Sequence, residues 1–299
     1  MGAQKVKIIA GPCSIDLQNK AEVFDMLNIK ISGKSALFGV RVVGLKSRTN
    51  FDPKNAFIGI DLESYEANVA KLMRGDFGII TCPSVEIANE IQSKNPEIFI
   101  ATEVVDPWVQ CSVLADFLKS SKAIVWNPAV NHLGFPIQIM AKFAKENGWK
   151  VGIKNGKALG APVAISESKN AETPLDKSWS GLSTYASNLE KSDIYMIHRG
   201  VDSEDNMGFR NYPIHNMCIR VKQKTGNPMF LDPSHIAGPK KRSEIVDFTI
   251  DAMKIKCGDD FLYDGILLEC GTSKSDTDQH ITIAELEQII VKLSEFRQI

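Results

Sequence analysis

The sequence predicts an α/β protein folded as a TIM (β/α)8 barrel, and three observations carry that reading. Short apolar, β-branched runs alternate along the whole length with longer stretches of helical period. Polar residues collect immediately after the apolar runs. The first run is not followed by the Gly-x-Gly-x-x-Gly turn that an open dinucleotide-binding sheet would carry. Repeated strand-then-helix units point to a parallel sheet, and eight of them close into a barrel.

The apolar runs are Val6–Ala10, Phe38–Leu45, Phe77–Thr81, Ile98–Val104, Ala123–Trp126, Lys150–Ile153, Ile194–Ile197, Pro228–Leu231 and Gly265–Leu268. That is one more than a barrel needs. Phe77–Thr81 is the weakest and is read as an extra segment ahead of the strand that reaches Glu103. Helical period marks Lys20–Ile29, Leu62–Met73, Val85–Gln92, Trp108–Lys119, Phe135–Asn147, Leu182–Lys191, Ser243–Met253 and Ile283–Phe296. The stretch Ala161–Ser180 reads as a long loop, a lid or an interface. No linker-like or low-complexity tract divides the chain, so residues 1–299 are expected to form one barrel domain without an added regulatory domain.

Composition narrows the function. The chain has 299 residues, 43% of them hydrophobic, enough for a sizeable core. Its 35 basic and 36 acidic residues give a net charge of −1, which argues against nucleic acid or an anionic membrane as partner. Six cysteines lie scattered with no Cys-x-x-Cys pair, the pattern of reduced thiols in a cytoplasmic protein. The N-terminal stretch is too short and too charged for a signal peptide, and no apolar run approaches membrane-spanning length.

In a barrel of this type the chemistry sits at the C-terminal ends of the strands. Two groups of residues fall there. Arg41, Lys46, Arg48, Lys154 and Arg199 bring five cations to one mouth of a chain that is neutral overall, an arrangement that suits phosphate or carboxylate ligands. Any one of them alone would read more simply as solvated or ion-paired surface. Cys13, His235, Glu269 and Asp276 form a mixed sulfur, nitrogen and oxygen set, suited to Zn²⁺, Fe²⁺ or Mn²⁺ and not to Ca²⁺. Cys13 alone would read as a small buried thiol, and His235 alone as a satisfied polar side chain.

From Gly11-Pro12-Cys13-Ser14 to Ser275-Asp276, these motifs resemble, in order, those of the superfamily of 3-deoxy-arabino-heptulosonate 7-phosphate (DAHP) synthases and 3-deoxy-octulosonate 8-phosphate synthases. The resemblance implies a divalent metal held by Cys13, His235, Glu269 and Asp276, with Asp278 as the alternative to Asp276. It implies phosphoenolpyruvate held by Arg41, Lys46, Lys154 and Arg199, and the phosphate of an aldehyde sugar held by Arg48 and Thr49. Lys46 and His235 are the implied catalytic residues, Lys46 as a proton donor or acceptor with a depressed pKa among other cations. Lys46-Ser47-Arg48-Thr49 and Ala101-Thr102-Glu103 look more like the DAHP branch, which favours erythrose 4-phosphate over arabinose 5-phosphate. An octulosonate-type enzyme, a metal-dependent aldolase and a degenerate barrel that only binds a phosphorylated ligand are the rival readings. The resemblance also implies a homo-oligomer, a dimer or a tetramer.

One position departs from the pattern. DAHP synthases read Gly-Ala-Arg-Thr after the fourth strand, where this chain reads Val125-Trp126-Asn127-Pro128. Asn127 standing about where the arginine belongs would forfeit a charge-assisted contact to phosphoenolpyruvate, on the order of 2 kcal/mol.

Overall fold

The computed structural model describes residues 5–43, 83–130, 132–156, 167–168, 170–203, 205–273 and 278–299. Eight parallel strands close into a barrel: β1 (Lys7–Gly11), β2 (Gly39–Arg41), β3 (Phe99–Glu103), β4 (Ala123–Trp126), β5 (Lys150–Lys154), β6 (Ile194–His198), β7 (Met229–Leu231) and β8 (Gly265–Glu269). They pair in sequence order, and β1 meets β8 in register from Lys7 opposite Gly265 to Gly11 opposite Glu269. Outside them lie α1 (Lys20–Leu27), α2 (Pro83–Lys94), α3 (Pro107–Phe117), α4 (Gly134–Asn147), α5 (Pro174–Leu182), α6 (His215–Thr225), α7 (Pro233–Ala237), α8 (Ile245–Met253) and α9 (Ile283–Ser294).

Strand alternation divides the apolar residues into two cores. One face of each strand packs against the helices. The other fills the barrel with Ile9, Val43, Ala101, Ile124, Trp126, Tyr195, Ile197, Phe230 and Leu267. The interior is crowded: a Cβ at Gly152 would lie 2.9 Å from the Cβ of Trp126 and 2.7 Å from Ile197, so β4, β5 and β6 pack this closely only with a glycine there. Two residues further on, the same inward parity delivers Gly11, Glu103, Lys154, Arg199, Asp232 and Glu269 to one rim, with Arg41 two residues before inward-facing Val43.

Two readings of the sequence change. The helix expected at Leu182–Lys191 begins earlier, at Pro174, and Ser183–Ala186 and Lys191–Asp193 are 3-10 turns. Thr173 and Asp176 form a capping box with Pro174 at the first helical position, so local capping starts the helix inside what reads as a loop. Arg220 fixes that start by gripping the Asp176 carboxylate. The segments Leu62–Met73 and Phe77–Thr81 lie outside the described residues.

Behind β6, buried His198 and half-buried His215 meet the Tyr263 hydroxyl, at 2.9 and 2.7 Å from their Nδ1 atoms. The Ile214 amide donates to Nε2 of His198, which puts that ring's proton on Nδ1. Burial lowers the pKa of both rings, that of His215 to about 4. Their folded pKa values lie below the ordinary 6.5, so the stability linked to them is complete above pH 6.5 and is lost as the pH falls towards 4. The urea midpoint is therefore expected to drop between pH 6.5 and 5, by at most about 1.4 kcal/mol per pH unit for each ring. His215→Gln should flatten the dependence, and an unchanged slope in that variant would show that other groups set it.

Candidate active site

The rim is assembled by local chain chemistry. After β1, Gly11 takes φ +152°, and a side chain there would strike the Arg41 backbone at 2.9 Å, so glycine lets β1 and β2 approach where they leave the barrel. After β7, Asp232-Pro233-Ser234-His235 starts a short helix: Asp232 is the N-cap, Pro233 takes the first position, and the Asp232 carboxylate accepts from the His235 amide. The same oxygen lies 2.9 Å from Nδ1 of His235. One turn of helix thus aims the imidazole, with Nδ1–H donating to Asp232 and the lone pair left on Nε2.

Around this turn runs a buried lattice of opposite charges. Lys154 Nζ lies 3.1 Å from Asp232 Oδ2 and 3.7 Å from Glu103 Oε2. Arg41 Nη2 lies 3.0 Å from Glu269 Oε1, and the other Glu269 oxygen accepts from Gln279 at 2.6 Å. Arg210 in turn donates to Gln279. The floor is the Trp126 ring, with the Arg41 guanidinium 5.6 Å and the Lys154 ammonium 5.7 Å from its centre, and its indole N–H donates to Glu103. Burial opposes the charge on Arg41, but Glu269, with Asp232 and Glu103, raises its pKa nonetheless. Burial likewise opposes the Asp232 carboxylate, and His235, Lys154 and Arg41 hold it well below the usual carboxylate range. Burial brings His235 to about 4, so the ring is neutral at pH 7.

Arg199 differs from its neighbours. It is buried, burial lowers its pKa, and its Nε and Nη1 meet no hydrogen-bond partner among the described residues. Nη1 of Arg41 is in the same condition. Buried guanidinium nitrogens left unpaired at the mouth of a barrel are what an anion site needs.

A second cluster adjoins the first. Cys13 Sγ, a Glu269 carboxylate oxygen and a His280 ring nitrogen all lie within 4.8 Å of one another. Across Glu269, Nε2 of His235 stands 3.8 Å from Oε1. Thiolate, carboxylate and imidazole so grouped fit a borderline divalent ion.

Of the residues singled out in the sequence, Cys13, Arg41, Lys154, Arg199, His235 and Glu269 meet at this rim, whereas Lys46, Arg48, Thr49 and Asp276 lie outside the described residues. Asp278 is exposed beside Arg242 and does not belong to the Cys13 cluster. The Asn127 side chain accepts from the Lys154 N–H at 2.9 Å and donates to the Pro128 carbonyl. Asp232, Trp126, Gln279 and His280 were not foreseen. Asp232 had a signal, the Asp-Pro helix start, but His280 had none, because only chain folding brings it back to β1.

A barrel whose C-terminal rim sets two buried arginines, each with at least one guanidinium nitrogen that meets no partner among the described residues, beside a cysteine, carboxylate and imidazole cluster that could hold a metal defines a class: a TIM-barrel enzyme for anionic substrates. Residues 2–299 match the model of the DAHP synthetase I family. The chain belongs to that family, transferases that condense phosphoenolpyruvate with erythrose 4-phosphate. The fold is similar to that of a truncated form of 3-deoxy-D-arabino-heptulosonate 7-phosphate synthase from Thermotoga maritima, with TM-score 0.66 and 16% identity over 99% of this chain and 88% of that one. No curated protein sequence matches the chain.

The lattice predicts opposite outcomes for two cations. Lys154→Met strands the buried Asp232 carboxylate and should lower stability by about 3 kcal/mol. Arg199→Met removes a charge without a hydrogen-bond partner at two nitrogens, so it should leave the urea midpoint unchanged or raised while the KM for phosphoenolpyruvate rises roughly 30- to 100-fold. An equal loss of stability in both variants would make Arg199 a structural cation.

Proposed function

We propose that the family reaction is carried out at this rim with a division of labour between its two halves. The observation that carries the reading is Arg199, buried with two unpaired nitrogens beside Lys154. Arg199 and Lys154 take the phosphate of phosphoenolpyruvate, and Arg41, with one guanidinium nitrogen unpaired, takes its carboxylate. Arg48 and Thr49 take the phosphate of erythrose 4-phosphate, and Lys46 and His235 are the catalytic residues, with Lys46 handling the proton.

Cys13, His235 and Glu269 hold the divalent ion, with Asp276 completing the set. The fit rests on the Cys13 and Glu269 donors standing within 4.8 Å and on the His235 ring being turned by Asp232 to offer Nε2. When bound, the ion supplies a Lewis acid for the aldehyde oxygen. The protein does the rest by position. Fixed cations set carbon 3 of phosphoenolpyruvate against the aldehyde carbon, and this pairing removes an entropic barrier. Trp126 closes the floor and keeps water from the inner side of the lattice.

The same reading makes the chain one barrel domain working in the cytoplasm, supported by free thiols at Cys13, Cys111, Cys218, Cys257 and Cys270. Among the described residues no helix is long and apolar enough to cross a membrane. Assembly into a dimer or tetramer is supported by Trp108, Phe135 and Tyr185, large side chains exposed around one groove beside α3 and α4.

The test is release of inorganic phosphate from phosphoenolpyruvate in the presence of Mn²⁺, with each aldehyde in turn. Turnover with erythrose 4-phosphate and little with arabinose 5-phosphate is expected, and a chelated sample should be inactive until Mn²⁺ is restored. The reverse preference would move the chain to the octulosonate branch, and full activity after chelation would refute the metal.

A further inference from the structure

We infer that Arg210 and Gln279 form a positioning relay that sets the Glu269 carboxylate for the divalent ion, with Arg210 acting through Gln279. This rests on the metal dependence proposed above and adds two residues that the motif reading does not contain.

Three observations carry it. The first is the orientation of an amide. Arg210 Nη1 donates to Gln279 Oε1 at 2.6 Å, and Gln279 Nε2 donates to Glu269 Oε2 at 2.6 Å. A guanidinium can only donate and an ionised carboxylate can only accept, so the amide has one productive orientation between them. Without the guanidinium the amide oxygen loses that partner, and a flip would set it against the carboxylate. The second is the hold on the carboxylate. The Arg41 contact at 3.0 Å falls on Oε1, so Glu269 has a named donor on each oxygen. The last torsion of a glutamate is broad, and two points of attachment fix its plane. Each carboxylate oxygen carries two lone pairs, so these two donors do not exhaust it.

The third is where Arg210 stands. The loop after β6 leaves beside Arg199 and returns through paired backbone bonds between Val201 and Tyr212, at 2.9 and 2.7 Å. On the return, the Arg210 and Asn211 amides donate to the Ile236 carbonyl, and the Asn211 side chain donates to the His235 carbonyl at 2.5 Å. The backbone that carries Arg210 is therefore fastened to the short helix that carries His235. From that anchor the exposed Arg210 side chain reaches buried Gln279. One loop thus steadies His235 through Asn211 and Glu269 through the relay. A carboxylate held in this way meets an ion with its plane already set, so its ordering belongs to folding and not to binding.

The experiment titrates the full chain with Co²⁺ and follows thiolate-to-cobalt absorption, with the urea midpoint of each variant as the measure of folding. Gln279→Met nearly keeps the volume and removes the donor, and should weaken Co²⁺ about 10- to 100-fold. Arg210→Met leaves Gln279 in place without its orienting partner and should weaken Co²⁺ roughly 3- to 10-fold. Because Arg210 is exposed, the urea midpoint of that variant should stay with wild type, so the lost affinity is not lost stability. The double variant should bind Co²⁺ as Gln279→Met alone does, since both residues act through one bond. Losses that multiply in the double variant, or an affinity unchanged in Arg210→Met, overturn the relay and leave the metal reading standing. No thiolate-bound cobalt in wild type overturns both together.

Discussion

Asp232 is the joint on which the rim depends. A single carboxylate caps the short helix after β7, orients His235 through Nδ1 and pairs with Lys154 across the barrel. Buried charges of this kind hold only when their partners are in place, because an unpaired one costs several kcal/mol. The consequence is mutual. Lys154 is held at the rim because Asp232 is there, and Asp232 stays ionised because His235, Lys154 and Arg41 surround it. Arg41 and Glu269 repeat the device one layer over, and Gln279 and Arg210 extend it outward. The Lys154–Asp232 pair and the Arg41–Glu269 pair are thus one electrostatic lattice, in which each group sets the geometry of the next.

The lattice is also selective about which charge it leaves unmet. Arg41 and Lys154 have carboxylate partners, whereas the Nε and Nη1 of buried Arg199 meet no hydrogen-bond partner among the described residues. Folding alone does not favour such a residue, and its cost is tolerated where a ligand supplies the missing oxygen atoms. Trp126 makes the arrangement affordable: its ring faces two cations, its N–H meets Glu103, and the glycine in β5 lets its strand pack closely. The departure at Asn127 takes on a different meaning in this setting. The amide ties the end of β4 to β5 at the height of Lys154, fixing the backbone of a residue at the rim.

Much of this was legible in the sequence. Eight of the nine apolar runs overlap the observed strands and the ninth, Phe77–Thr81, lies outside the described residues; burial on both faces imposes a continuous apolar signature on a parallel strand. Strand parity then fixed which residues reach the rim: Arg41, Lys154, Arg199 and Glu269 follow directly, and Cys13 lies two residues past Gly11. The loop-like stretch before Trp179 misled, because its helix is nucleated by a capping box of Thr173 and Asp176 and not by an amphipathic repeat. The nature of each strand end was therefore local information, and so was the aim of His235, which depends on Asp232 three residues away.

What the sequence determined by itself was the barrel and its polar rim, because period-two alternation and helix capping act over a few residues. What only the tertiary structure decided was pairing. Glu269 with Arg41 spans 228 positions, the Cys13 amide with His280 spans 267, and Trp126 beneath both cations is a product of barrel closure. These contacts come from wrapping the last strand against the first. Closure brings distant residues to one rim at distances that no local spacing encodes.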